Sequence, residues 1–184
     1  MQGQMVLPVV VILVILLLLV LVGARWWVGQ RRRSAQLREQ FGPEYDRAVN
    51  EHGEPGAAEA ELEQRAERVR QLHIQPLSPE DETRFADDWR SVQARFVDDP
   101  QAAVKDADGL VEAVMQARGY PMANFEQRAA DISVDHPEVV ENYRSAHAIA
   151  VLDERQLTTE DLRRAMVYYR SLFEDLLSRE ASVR

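Results

Sequence analysis

Residues 5–24 form an uninterrupted, mostly aliphatic run without an ionisable side chain, from Met5 through Leu16, Leu17, Leu18 and Leu19 to Ala24. At 1.5 Å of rise per residue, this run makes about 30 Å of helix, the thickness of a bilayer's hydrocarbon core. A helix in water needs an apolar stripe on one side only, so a helix apolar on every face is expected where lipid is the solvent. Pro8 falls in the first turn, where a backbone N–H would have had no intrahelical partner. The flank fits a span as well: Trp26 and Trp27 suit the headgroup level, and Arg31, Arg32 and Arg33 follow, with Arg25 ahead of them. The sequence therefore predicts one transmembrane helix over residues 5–24, preceded by a short extracytoplasmic segment, residues 1–4.

Charge asymmetry sets the expected orientation. Residues 1–4 carry no charged side chain, whereas the arginines cluster just after the apolar run. The positive-inside rule then places the N-terminus outside and the C-terminal body in the cytoplasm, on a single pass through the inner (plasma) membrane. Two other readings remain. A cleaved signal peptide could end at Val22 and Ala24, but the basic n-region is missing and the apolar run is too long. The body could instead be an extracytoplasmic domain on a signal anchor. The arginine collar either attracts anionic headgroups as well, at about 1 kcal/mol per charge near the surface, or does no more than set the topology.

Beyond the collar the chain is acidic. Of 22 basic and 31 acidic side chains, residues 34–184 hold 18 basic and all 31 acidic ones, a balance of −13. Such a body is a poor nucleic-acid binder, because phosphate affinity depends on clustered Lys and Arg. A cationic protein surface is the expected partner class. The absence of cysteine excludes disulfides, thiolate metal sites and thiol nucleophiles.

The soluble part reads as helical throughout. Leu37, Phe41, Tyr45 and Val49 recur every fourth residue along a juxtamembrane helix within residues 25–49, interrupted at Gly42-Pro43. Residues 50–59, with Gly53, Pro55 and Gly56, predict a flexible joint. A charged helix over residues 57–72 follows, with a narrow stripe of Leu62, Ala66, Val69 and Leu72. The compact domain is expected over residues 77–184. Ser78 is its first N-cap, with Pro79 at the first helical position, and Phe85, Trp89, Val92 and Phe96 share one face. Asp99-Pro100 opens the next helix, Gly109 in its middle suggests close contact or a break, and Gly119-Tyr120-Pro121 ends it. A short helix over residues 124–132, a capping box at Asp135-His136-Pro137-Glu138, and a long helix capped by Thr158 or Thr159 complete the pattern. No segment alternates with period two. The fold class is all-α: a transmembrane helix, juxtamembrane helices and a four- or five-helix bundle.

No nucleotide, phosphate-loop, serine-hydrolase, zincin or EF-hand signature occurs. The candidate chemistry is confined to Asp131, Asp135, His136 and His147, which with Tyr143 are residue types able to ligate zinc or move a proton. Three helical turns, about 16 Å, separate the two histidines, too far to share one ion. The better-supported expectation is a cap for His136 and a half-buried, backbone-bonded core position for His147. N-capping accounts for Asp99 and solvation for Asp87, Asp88 and Asp98, short of the shaped oxygen cage that calcium needs. No cofactor or metal is expected.

The elements Trp89 to Pro100 (W-x₆-F-V-D-D-P), Ala107-Asp108 with Leu110-Val111, Arg118-Gly119-Tyr120-Pro121 and Tyr143-Arg144-Ser145-Ala146-His147 resemble an uncharacterised family of single-pass membrane proteins from GC-rich bacteria. That resemblance covers residues 34–178 and implies a fold unit without an assigned activity. The expected function is a membrane-tethered scaffold or protein–protein interaction domain without catalytic activity. Leu37, Phe41, Tyr45, Val49, Leu62 and Val69, which lack obvious local cover, are expected to form its partner or self-association seam. The alternative is a membrane-bound metal-dependent hydrolase using the His/Asp group.

Overall fold

The computed structural model describes residues 3–152 and 157–178, without the side chains of residues 3–16, 19 and 26. Among the described residues there are eight α-helices and no strand: α1 (Gly3–Phe41), α2 (Pro43–His52), α3 (Pro55–Arg70), α4 (Pro79–Arg95), α5 (Pro100–Arg118), α6 (Phe125–Asp135), α7 (Val140–Ala150) and α8 (Thr159–Ser178). The chain divides into two compact units, Met1–Gln40 and Phe41–Arg184.

In the first unit, the apolar run and the arginine collar lie on one unbroken helix. α1 has 39 residues, about 58 Å of length. Trp27 is exposed, and the Arg31 guanidinium lies 3.7 Å above its indole ring, a cation–π contact. Among the described residues no helix is long and apolar enough to cross a membrane. The side chains of residues 5–16 and Leu19, on which the transmembrane expectation chiefly falls, lie outside the described residues, as does that of Trp26.

The second unit begins where Gly42 interrupts the helix with a φ of 48° and Pro43 restarts it as α2. The expected flexible joint is instead a tight connection. α2 continues to His52, Gly53 closes it in the left-handed conformation, and α3 starts at Pro55. Its glycine and proline are a helix stop and a helix start set side by side. α2 packs on α3, and α3 packs on α6. This corrects the expectation that the two stripes lack cover: Phe41, Tyr45, Leu62 and Val69 are buried, as is Leu37 on α1, and Val49 is half-buried. Within the Phe41–Arg184 unit, the α2 and α3 side chains of that seam are filled by their own neighbours.

Helices α4 to α8 form the bundle, with α4 on α5, α5 on α8, α7 on α8, and α6 on α7. Its caps follow the sequence closely. Ser78 Oγ accepts from the Asp81 N–H at 3.1 Å, Asp99 from Ala102, Asn124 from Gln127, and Thr158 from Asp161. The core gathers Phe85, Trp89, Val111, Met115, Ile132, Tyr143, Tyr169, Phe173 and Leu176. Trp89 stacks on Phe173 with ring centroids 4.7 Å apart, so the W-x₆-F-V-D-D-P element is a core anchor followed by a helix cap. Gly109 is exposed on an unbroken α5, and a Cβ there would meet nothing within 4 Å, so it marks neither a close helix contact nor a break. The expected capping box does not form. His136 is the C-cap of α6, and α7 starts only at Val140, with no side-chain cap.

Candidate functional site

The four residues singled out in the sequence point to different neighbours. Asp131, nearly fully buried on α6, accepts from Arg68 Nε at 2.8 Å and Gln127 Nε2 at 2.9 Å. His136 Nδ1 pairs with the Asp175 carboxylate of α8. The ring of His147 stacks on Phe125 at 3.7 Å, and its Nδ1 lies 3.6 Å from Asp108 of α5 without a hydrogen bond. His147 is half-buried, as expected, and its Nδ1 makes no bond to a backbone carbonyl. Asp135, at the end of α6, acts on Tyr120 through its negative charge. Among the described residues no group of three or more histidines and carboxylates could hold a metal ion.

What the fold does assemble is a cleft of about 430 Å³ between α2, α3 and the α6–α7 region. Four arginines line it: Arg47 from α2, Arg65 and Arg68 from α3, and Arg144 from α7. Glu51, Glu61 and Glu126 alternate with them, and Gln64, Asn124 and Gln127 add amides. Beneath the cleft, Glu44 is 3% exposed. Its carboxylate accepts from Arg65 Nη1 at 3.1 Å and Arg144 Nη2 at 2.9 Å, with Arg47 Nε at 3.5 Å. One buried acid thus holds three guanidinium groups. A buried carboxylate persists only when paired and hydrogen-bonded, and Glu44 meets both conditions.

The arginines differ in how firmly they are engaged. Arg65 is clamped by Glu61 and Glu44, and Arg68 binds Asp131 through two nitrogens. Burial pushes the Glu61 carboxyl up, but hydrogen bonds from His52 and Arg65 outweigh it and hold the group below its ordinary value. Arg47 and Arg144 have looser outer partners. Arg47 meets Glu51 at 2.9 Å and Glu141 at 3.5 Å, and Arg144 meets Glu126 at 3.6 Å. Glu44 and Arg144 carry no sequence signal beyond lying beside core positions Tyr45 and Tyr143, and Arg65 breaks the apolar stripe of α3.

A second polar network crosses the bundle. Tyr169 donates to Asp108 at 2.9 Å, and Arg128 bonds the Tyr143 hydroxyl, Glu112 and the Ala123 carbonyl. Burial raises the Tyr143 hydroxyl to about 12, against opposing help from Arg128 to the ionised form. Burial also raises Tyr120 and Tyr169, with the charges of Asp135 and Asp108 adding to it. Above pH 10, the ordinary tyrosine value, the unfolded chain releases these protons while the folded chain keeps them. Stability therefore falls as pH rises through that window. In an alkaline titration, tyrosinate absorbance from these three residues is expected in one cooperative step together with loss of helical circular dichroism. A smooth ionisation of all tyrosines near pH 10 with the helices intact would contradict this burial.

No family model, curated protein or solved structure matches the chain.

Proposed function

We propose that this chain is a membrane-tethered, cytoplasmic α-helical domain that binds other proteins, or further copies of itself, at the inner face of the plasma membrane. The observation that carries the reading is the continuity of α1. One 39-residue helix bears the apolar run, the aromatic position Trp27 and the arginine collar without a break. The aliphatic sequence of residues 5–24 is long enough for a bilayer, and the collar favours the inner leaflet. A tether of this kind confines the domain to two dimensions and raises its effective concentration toward neighbours in the same membrane.

The partner surface is sought outside the stripes of α2 and α3, since those are filled. With 18 basic against 31 acidic side chains in residues 34–184, a cationic partner face is favoured and nucleic acid is disfavoured. Membranes washed with alkaline carbonate are expected to retain the full chain. A single cysteine at Ser34 is expected to react with an impermeant thiol reagent only after the cells are opened. Crosslinking in intact membranes is then expected to trap the chain with a partner or with itself. Recovery of the protein in the carbonate supernatant would remove the tether, labelling in intact cells would reverse the topology, and an exclusively uncrosslinked chain would remove the interaction.

A further inference from the structure

We infer that the cleft over Glu44 is a binding site for a small polyoxygenated anion, carrying two or more carboxylate or phosphate groups, which Arg47 and Arg144 grip together. This inference stands independently of the membrane tether. The four guanidinium groups differ in how freely they can exchange partners. Arg65 and Arg68 are closed off by Glu44, Glu61 and Asp131, carboxylates that are themselves buried or half-buried. Arg47 and Arg144 are held from behind by Glu44, but on the cleft side they meet only rim carboxylates. The Glu51, Glu141 and Glu126 side chains are 47%, 61% and 78% exposed. Ion pairs with such exposed groups are weak, so an incoming anion displaces them at little cost.

Arg144 supplies the independent observation. Its side chain is nine-tenths buried, yet its Nε–H has no hydrogen-bond partner, and its Nη1 stands 3.6 Å from Glu126, beyond hydrogen-bond distance. The Nη1 donor, which has no hydrogen-bonded partner, gains from an oxygen-rich ligand because charge-assisted hydrogen bonds to anionic oxygens are strong, whereas the enclosed Nε–H stays out of a ligand's reach. The Glu126 carboxylate thus occupies the position of a loose internal surrogate for that ligand. The lining also selects the ligand's chemistry. Apart from Ala130, it is made of guanidinium, carboxylate and amide groups, with no aromatic ring to stack a base or seat an apolar anchor. A cleft of about 430 Å³ accommodates a metabolite-sized molecule. Two anionic groups at its ends would meet Arg47 and Arg144, with amides such as Gln64 left for hydroxyl oxygens.

The test is titration calorimetry of the full chain in nonionic detergent micelles, with sodium citrate and sodium pyrophosphate in separate arms against sodium chloride of matched ionic strength. Saturable heat with citrate assigns the carboxylate class, and with pyrophosphate the phosphate class. Glu126→Gln removes the surrogate and is expected to tighten binding by up to about fivefold. Arg47→Gln and Gln64→Glu, on partly exposed and exposed side chains, are expected to weaken it by about tenfold or more while leaving the circular dichroism spectrum unchanged. The proposal is overturned if neither probe gives saturable heat, or if binding is the same in Arg47→Gln and Gln64→Glu as in the native chain.

Discussion

Glu44→Ala is expected to destabilise the Phe41–Arg184 unit by about 3–5 kcal/mol, lowering its Tm by on the order of 10 °C. The size follows from what the substitution leaves behind. The Arg65 and Arg144 side chains are 9% and 10% exposed, and both donate to the Glu44 carboxylate. Removing that carboxylate strips the shared anion from two buried cations, whereas removing an exposed ion-pair partner costs at most about 1 kcal/mol. Glu160→Ala is the matched control, because its pair with Arg163 lies on the surface of α8. Replacing Glu44, Arg65 and Arg144 together by apolar residues of similar volume is expected to recover much of the loss, since no uncompensated charge then remains. Thermal melts followed by circular dichroism measure all three. A Glu44→Ala protein that melts with the native one would mean that the hub is solvated and carries no buried charge.

Gly119→Ala is the second large effect, at about 2–4 kcal/mol, and Gly53→Ala is its internal comparison. Both glycines end helices with positive φ, 97° at Gly119 and 75° at Gly53. An L-residue there costs about 1–2 kcal/mol whatever its surroundings. At Gly53 a Cβ meets nothing within 4 Å, so only that cost is expected. At Gly119 the Cβ would lie 2.5 Å from the His73 carbonyl oxygen, a backbone atom without a rotamer to yield. The segment carrying His73 is also pinned, because the Gln75 N–H donates to the Arg118 carbonyl at 2.8 Å. Denaturation should therefore separate the two variants by at least 1 kcal/mol, beyond their shared conformational cost. Equal losses would mean that the connection from α3 to α4 does not lie against the end of α5.

The helices were legible because their signals are local. Ser78-Pro79, Asp99-Pro100, Asn124 and Thr158 each satisfy orphan N–H groups within three residues, so a cap can be read without knowing the fold. The same locality misled at Asp135-His136-Pro137-Glu138. The motif allows a helix start, but His136 is drawn to Asp175, 39 residues along, and serves the helix before it. Gly53 and Pro55 also had two local meanings. As a loose joint and as a helix stop beside a helix start they look alike, and the packing of α2 on α3 selected the second.

The candidate site was not legible. Asp131, His136 and His147 drew notice as residue types, yet their partners Arg68, Asp175 and Asp108 lie 63, 39 and 39 positions away in the chain, on other helices. Glu44 and Arg144, which organise the cleft, are 100 residues apart, and in a chain with 31 acidic side chains neither stands out.

By itself the sequence determined the all-helical class, the N-caps at Ser78, Asp99, Asn124 and Thr158, and the division between an aliphatic N-terminal rod and an acidic helical body. Each follows from hydrophobic periodicity or capping, which act over a few residues. Only the tertiary structure decided that the stripes of α2 and α3 are consumed internally and that three arginines meet on one buried carboxylate, Glu44. Those outcomes depend on which helix faces which, and charges and apolar faces find distant partners only once the whole chain has packed.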